Sequence, residues 1–129
     1  MIIEHVAFNV KDPGSVVKWY IENIGLKLIK RVNEYTWFIG DENSNTVLEI
    51  YYNPAAEVLE YANMDPLMLH IAFVSNKIEE DIKRLVEAGA TVVNANAFTK
   101  AGDRLAMLRD PWGLCIQLVD RVFGNKMKP

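Results

Sequence analysis

Four polar side chains occupy matched positions in two similar stretches of the sequence. His5 opens the stretch His-Val-Ala-Phe and His70 opens His-Ile-Ala-Phe, and these are the only two histidines among the 129 residues. Glu49 and Gln117 each lie in a later stretch of mainly apolar residues. Two imidazoles, a carboxylate and an amide oxygen can together bind one divalent ion, although they do not distinguish zinc, nickel, cobalt, manganese and iron. Such an ion, with a position left for substrate, would act as a Lewis-acid catalyst.

A site without an ion is the alternative interpretation. A single histidine on a strand is more often a structural residue, and the four polar groups also suit a concave surface that binds an organic ligand. Trp37, Tyr51 and Trp112 are candidate pocket residues, although aromatic residues of strands more often belong to the core. Cys115, beside the predicted site, is interpreted as a small packing residue.

Alternation of apolar and polar residues predicts the strands that carry these side chains. In the first unit, residues 1–53, a strand at Glu4–Val10 precedes a helix that Ser15 caps and Gly25 ends. Three further strands are predicted at Leu26–Val32, Tyr35–Gly40 and Thr46–Tyr52.

The second unit, residues 67–122, repeats this order. A strand at Leu67–Val74 precedes a helix that Asn76 caps and Gly89 ends. Three further strands are predicted at Thr91–Ala95, Arg104–Arg109 and Leu114–Val119.

This order predicts an α+β fold of two tandem β-α-β-β-β units within a single domain, residues 1–129. The units are expected to form a half-open cupped mixed sheet with helices on the outer face, which leaves the inner face for the polar side chains. A connection, residues 54–66, carries a helical turn around Ala55–Tyr61, and residues 123–129 form a frayed tail.

Composition narrows the possible functions. An apolar share of 50% with 24% charged residues is typical of a globular domain. A single cysteine permits no internal disulfide, which favours a cytoplasmic location. The net charge of −3 argues against a nucleic-acid partner. No apolar run approaches the ~20 residues that cross a membrane, and no signal peptide is recognised.

Together these motifs resemble the vicinal oxygen chelate superfamily, which includes glyoxalase I, methylmalonyl-CoA epimerase, extradiol dioxygenases and bleomycin resistance proteins. The resemblance covers nearly the whole chain. It rests on residues 5–10, the helix end at Trp19-Tyr20 and Gly25-Leu26, Leu48-Glu49-Ile50, His70-Ile71-Ala72-Phe73, and residues 110–118.

The pattern is closest to bacterial glyoxalase I-like proteins, and the resemblance implies roles for individual residues. It implies that His5, Glu49, His70 and Gln117 occupy the four metal positions. Gln117 stands where the family usually has glutamate, and an amide coordinates a metal but does not exchange a proton near neutral pH. Glu49 is then the general base, with the ion stabilising an enediolate. Asn9 stands where a bacterial glyoxalase would hold an arginine for glutathione, so it is a candidate substrate-binding residue.

The resemblance leaves three functions open. The first is a glyoxalase-like, metal-dependent lyase or isomerase that acts on a small α-oxo or thioester-like substrate. The second is a metal-free small-molecule binding protein of the bleomycin-resistance type. An extradiol dioxygenase fits less well, because those enzymes carry the carboxylate on the final strand. The resemblance also implies a homodimer.

Overall fold

The structure, a computed structural model, describes residues 1–43 and 45–124. It confirms the α+β class and the tandem order of two β-α-β-β-β units. Contacts divide the chain into two compact units, Met1–Leu59 and Glu60–Pro129. Of the predicted tail, residues 125–129 lie outside the described part of the chain. The single-domain organisation and the cup stay predictions.

The first unit contains a four-stranded mixed sheet in the order β1-β4-β3-β2. Its strands are β1 (Val6–Asn9), β2 (Lys27–Asn33), β3 (Thr36–Gly40) and β4 (Val47–Tyr51). β1 runs parallel to β4, and the other neighbours are antiparallel. Helix α1 (Pro13–Trp19) continues into a π-helical turn, Tyr20–Ile24, and packs against β3 and β4. The buried residues include Phe8, Val16, Val17, Tyr20, Ile39, Leu48 and Ile50.

Helix α1 begins differently from the prediction and ends as predicted. Asp12, rather than Ser15, is the N-cap, and its Oδ1 accepts a hydrogen bond from the backbone N–H of Ser15 at 3.1 Å. Pro13 explains the difference, because proline favours the first helical position and so moves the cap back to the preceding residue. At the other end, Gly25 has a φ of 89° and forms the left-handed cap.

The second unit contains a matching sheet in the order β5-β8-β7-β6. Its strands are β5 (Ile71–Val74), β6 (Thr91–Phe98), β7 (Arg104–Arg109) and β8 (Cys115–Asp120). Helix α2 (Ile78–Glu87) packs against β6 and β8. The buried residues include Ile78, Leu85, Ala106, Leu108, Ile116 and Leu118.

Two local predictions in this unit were wrong. Asn76 does not cap α2; Lys77 occupies the N-cap position, while Ser75 Oγ accepts from the Lys77 N–H and donates to Asp81. The strand predicted from Leu67 begins only at Ile71. Asp65 and Pro66 start a turn before it, in which the Leu67 N–H donates to the Asp65 carboxylate.

The connection also differs from the prediction. Its helical turn is a 3₁₀ turn at Tyr61–Asn63 rather than around Ala55–Tyr61. Tyr61 is 7% exposed, so the turn forms where this aromatic side chain is buried. No helix among the described residues is long and apolar enough to span a membrane.

Each sheet ends in an irregular edge strand. β2 has register shifts against β3 between Leu28 and Lys30 and between Arg31 and Asn33. β6 has shifts against β7 between Val92 and Asn94 and between Asn94 and Ala97. These register shifts interrupt the regular pairing of each edge strand with its neighbour.

Gly113 allows the 3₁₀ turn to approach the hairpin between β7 and β8. Its φ is 93°, and a Cβ at this position would lie 2.5 Å from backbone atoms of Ala62. Only glycine combines this conformation with such a close contact.

We predict that Gly113→Ala destabilises the protein much more than Gly102→Ala. Gly102 has the same φ of 93°, but its added Cβ would meet only a methyl group of Val122 at 3.4 Å. Backbone strain alone should cost about 1–2 kcal/mol at Gly102. Urea unfolding of both variants measures the difference, and equal losses would contradict the close packing of Ala62.

Asp103, which is 9% exposed, connects the loop before β7 to the segment after β8. Its carboxylate accepts hydrogen bonds from Arg121 Nη1 at 2.8 Å and from the Val122 N–H at 3.1 Å. The hydrogen bond from Arg121, aided by that from Val122, lowers the pKa of Asp103 below its ordinary value.

We predict that Asp103→Asn lowers stability at pH 7 and that its deficit shrinks on acidification. Because the folded-state pKa of Asp103 is depressed, its contribution is present above the unfolded pKa and disappears as the pH falls through the folded value. Thermal unfolding between pH 7 and pH 2 measures this. Asp120→Asn is the control, since that carboxylate makes no hydrogen bond or ion pair with the described residues, and a pH-independent deficit at Asp103 would refute the interpretation.

Candidate functional site

His5 and Glu49 are in contact within the first unit. His5 Nε2 lies 3.1 Å from Glu49 Oε2. The parallel pairing of β1 with β4 explains this, because Ala7 lies opposite Glu49 and His5 precedes Ala7 by two residues. Phe38 lies opposite Glu49 on β3, and its ring meets the imidazole edge-on with 5.5 Å between centroids.

The His5 imidazole lies between two carboxylates. Its Nδ1 is hydrogen-bonded to Glu4, and its Nε2 faces Glu49. Since ionised carboxylates only accept hydrogen bonds, this arrangement stabilises the protonated imidazole. The hydrogen bond to Glu4, with the negative charges of Glu4 and Glu49, raises the pKa of His5, and desolvation opposes this only in part.

The spacing of His5 and Glu49 suits a shared metal ion. His5 Nε2 and Glu49 Oε2 lie side by side, 3.1 Å apart, and both atoms are of kinds that bind divalent metals, so the pair would hold one ion. A metal binds the neutral imidazole, so an ion would take the place of the Nε2 proton. The two side chains are 33% and 21% exposed, so a ligand can reach them.

Asn9 holds the loop that follows β4. Its Nδ2 lies 3.2 Å from the carbonyl oxygens of both Asn53 and Ala56, and its Oδ1 accepts from the Asn53 N–H at 2.9 Å. These backbone contacts give Asn9 a structural role, and its contact with substrate stays a prediction.

The two aromatic candidates of this unit lie on opposite faces of the sheet. Tyr51 is two residues from Glu49 on β4 and shares its face. Trp37 pairs with the buried Ile50, so it lies on the face that α1 covers. There Arg31 stacks over the Trp37 ring with its Cζ 4.3 Å from the centroid.

Gln117 lies in a groove of about 220 Å³ within the second unit. Its position repeats that of Glu49, because Ala72 lies opposite Gln117 on β5 as Ala7 lies opposite Glu49. Met107 lies opposite Gln117 on β7. The remaining lining residues are Asp65, Pro66, Leu67, Val93, Asn94, Ala97 and Leu105. The Gln117 amide makes no hydrogen bond with the described residues, so it is available to a ligand or an ion.

His70 lies just before β5 and is held by the turn that precedes it. Its Nδ1 is 2.8 Å from the Pro66 carbonyl oxygen. A carbonyl only accepts hydrogen bonds, so in the neutral imidazole this contact favours the proton on Nδ1 and leaves the Nε2 lone pair for a ligand. Histidines that bind metals commonly make this kind of contact through their second nitrogen.

The other two residues considered in this unit have no direct part in the groove. Trp112 lies in the hairpin turn, where its backbone N–H donates to Asp110 Oδ1. It is not among the described residues that line the groove. Cys115 is 2% exposed, and burial raises the pKa of its thiol, in agreement with a packing role.

Sequence reasoning missed Arg109, which fixes the segment that precedes β5 in the second unit. We call Tyr61–His70 the strap. Arg109 Nη1 donates to the carbonyls of Tyr61 and Gly113, each at 3.0 Å, and Nη2 donates to that of Met64 at 2.8 Å. The apolar pattern of β7 gave no indication of this, because the acceptors are backbone atoms.

The predicted ligands therefore divide between the units, with His5 and Glu49 in the first and His70 and Gln117 in the second. Within residues 1–43 and 45–124, no group of three or more histidine, cysteine, aspartate or glutamate side chains lies close enough to hold a metal ion. The four-residue site stays a prediction.

Known proteins match the chain over most of its length. The model of the Glyoxalase/Bleomycin resistance protein/Dioxygenase superfamily matches residues 2–118. A lactoylglutathione lyase of Arabidopsis thaliana is 25% identical over 126 residues, which represent 91% of this chain and 43% of that protein. The chain thus spans less than half the length of this curated relative.

Solved structures share the fold. A glyoxalase family protein from Bacillus cereus has a TM-score of 0.76 at 18% identity, with 93% of each chain covered. An antibiotic binding protein from a Streptomyces species, TnmS3, has a TM-score of 0.64 at 26% identity, covering 93% of this chain and 98% of that one.

We predict that Asn9→Ala frees the loop after β4. The variant loses the hydrogen bonds to Asn53 and Ala56, so the Asn53 amide should exchange faster with solvent and the protein should lose about 0.5–1.5 kcal/mol of stability for each hydrogen bond. Hydrogen exchange measured by NMR tests this. Asn9→Asp retains the acceptor and should protect the Asn53 amide, whereas equal protection in both variants would show that Asn9 does not hold the loop.

Proposed function

This chain belongs to the glyoxalase/bleomycin resistance protein/dioxygenase superfamily, and we propose that it is a glyoxalase-like, metal-dependent lyase or isomerase. Its substrate is a small α-oxo or thioester-like compound. The observation that carries the proposal is the 3.1 Å contact between His5 Nε2 and Glu49 Oε2 on the face of the sheet opposite α1.

We propose that His5, Glu49, His70 and Gln117 hold one divalent ion. Three features support this: the His5–Glu49 spacing, the Nδ1 contact that leaves His70 Nε2 available, and the Gln117 amide exposed in its groove. When bound, the ion would supply Lewis-acid stabilisation of negative charge on a substrate oxygen.

Glu49 is the proposed general base. It is the one carboxylate of the four residues, and the Gln117 amide neither accepts nor releases a proton near neutral pH. Glu49 would take a proton from the carbon beside the substrate carbonyl and return it to the neighbouring carbon. This transfer needs no oxidant or reductant, so it describes an isomerisation or its lyase equivalent.

The groove beside Gln117 would hold the non-reacting part of the substrate. Its walls combine apolar side chains, including Leu105 and Met107, with the amides of Asn94 and Gln117. It has no lysine or arginine in its described lining, so it suits an uncharged group better than a carboxylate. This supports a substrate other than a glutathione adduct.

A metal-free binding protein is the second candidate. The 26% identity to TnmS3, which is an antibiotic binding protein, supports it. So does Gln117, because an amide in place of the usual glutamate suits hydrogen bonding to a neutral ligand.

We also propose that the protein forms a homodimer. The edge strands β2 and β6 expose Leu28, Val32, Val92 and Phe98, each at least 46% accessible, and a second chain would cover such residues. Light scattering tests this assembly. The cytoplasmic location stays a prediction.

We predict that purified protein carries about one divalent ion per chain and that Glu49→Gln lowers turnover by roughly 10²–10⁴-fold through loss of the base. Elemental analysis before and after chelation measures the ion, and conversion of a panel of hemithioacetals and α-oxo compounds measures turnover. Glu87→Gln removes an exposed carboxylate of α2 and should leave both unchanged.

The same experiment separates the two candidates. Chelated protein that still binds ligands with unchanged affinity, and that never contains a stoichiometric ion, would overturn the enzyme proposal and favour the binding protein.

A further inference from the structure

We propose that Arg109 is a positioning residue that holds the strap, Tyr61–His70, so that His70 presents Nε2 to the site. The importance of that nitrogen rests on the proposed function, whereas the positioning can be measured without it. The inference stands on two sets of contacts in the strap: those of the guanidinium with Tyr61 and Met64, and those of the turn that follows directly and holds His70.

The first contacts fix the beginning of the strap. Arg109 binds three carbonyl oxygens, those of Tyr61, Met64 and Gly113, at 2.8–3.0 Å. On the opposite side, Gly113 lets the backbone of Ala62 approach the hairpin. The 3₁₀ turn is thus held to β7 and to the hairpin at once.

Only arginine suits this position. The acceptors are backbone carbonyls of a segment outside the sheet, and the two Nη atoms of one planar guanidinium reach all three. A lysine has a single ammonium group on a flexible stem and does not reproduce this fork. Loss of the fork would leave two carbonyls of the strap, those of Tyr61 and Met64, and the Gly113 carbonyl of the hairpin without these donors.

Further hydrogen bonds in the strap fix the position of His70. The Asp65 carboxylate accepts from the Leu67 N–H at 2.8 Å, and the Asp65 carbonyl accepts from the Met68 N–H at 2.9 Å. This turn directs the Pro66 carbonyl to His70 Nδ1 at 2.8 Å. Asp65, Pro66 and Leu67 also form one wall of the Gln117 groove.

The consequence for His70 is a fixed tautomer. While the strap is held, the proton stays on Nδ1, which leaves Nε2 as the ligand atom. When the strap is free, the Pro66 carbonyl no longer selects this form. Arg109 therefore acts on the site through the strap and needs no contact with substrate or ion.

The test measures the His70 tautomer directly. With only two histidines in the chain, long-range ¹H–¹⁵N NMR spectra contain two imidazoles, and His5→Gln assigns them. At pH 8.5 and without metal, His70 of the unaltered chain should be in the Nδ1–H form. In Arg109→Lys and Arg109→Gln it should become an exchange average of both forms.

A second measurement uses Co²⁺ alone as the probe. Loss of an interaction that orients a metal-binding histidine typically lowers affinity about 10–100-fold, and we expect a decrease of this size in Arg109→Lys. Arg104→Lys is the matched control, because Arg104 lies on the same strand but contacts Glu79 and Asn96. It should leave both the tautomer and Co²⁺ affinity unchanged.

Two results would overturn the inference. One is that His70 has the same tautomer in folded Arg109→Lys as in the unaltered chain. The other is that His70 of the unaltered chain is not in the Nδ1–H form. Circular dichroism verifies that each variant is folded. If Arg109→Gln does not fold, the comparison rests on Arg109→Lys alone. If the unaltered chain fails to bind Co²⁺, the proposed metal function fails, while the tautomer comparison still decides the role of Arg109.

Discussion

Parallel pairing between the first and last strands of each unit is the constraint on which the site depends. It places Ala7 opposite Glu49 and Ala72 opposite Gln117, so each histidine lies two residues before a matched position. A register shift of one residue would turn Glu49 towards α1 and an apolar neighbour towards solvent. The burial of Leu48 and Ile50 against the helix therefore also determines which face carries the carboxylate.

Much of this architecture could be predicted from residue patterns, because each pattern reports a local preference. Alternation placed Glu49 and Gln117 opposite the buried residues, and the bounds of β7, Arg104–Arg109, match the prediction. Gly25 ends its helix as expected, since a left-handed cap depends on that residue alone.

The remaining features depend on contacts between distant residues. The N-cap of α1 is Asp12 rather than the predicted Ser15, because Pro13 prefers the first helical position. Trp37 was assigned to the pocket by residue type, although its pairing with Ile50 places it on the helix face. The role of Arg109 could not be predicted, because it binds backbone carbonyl groups 45 and 48 residues away. Backbone acceptors have no signature in the sequence.

The register shifts in the edge strands β2 and β6 also disfavour fibrillar self-association of the chain. β2 and β6 are edge strands with exposed apolar side chains, and regular strands of this kind can act as templates for cross-β growth. Two register shifts in each strand break the even spacing of free amides and carbonyls that such stacking requires. An edge interrupted in this way is a poor template for the addition of further strands, even where its side chains are apolar.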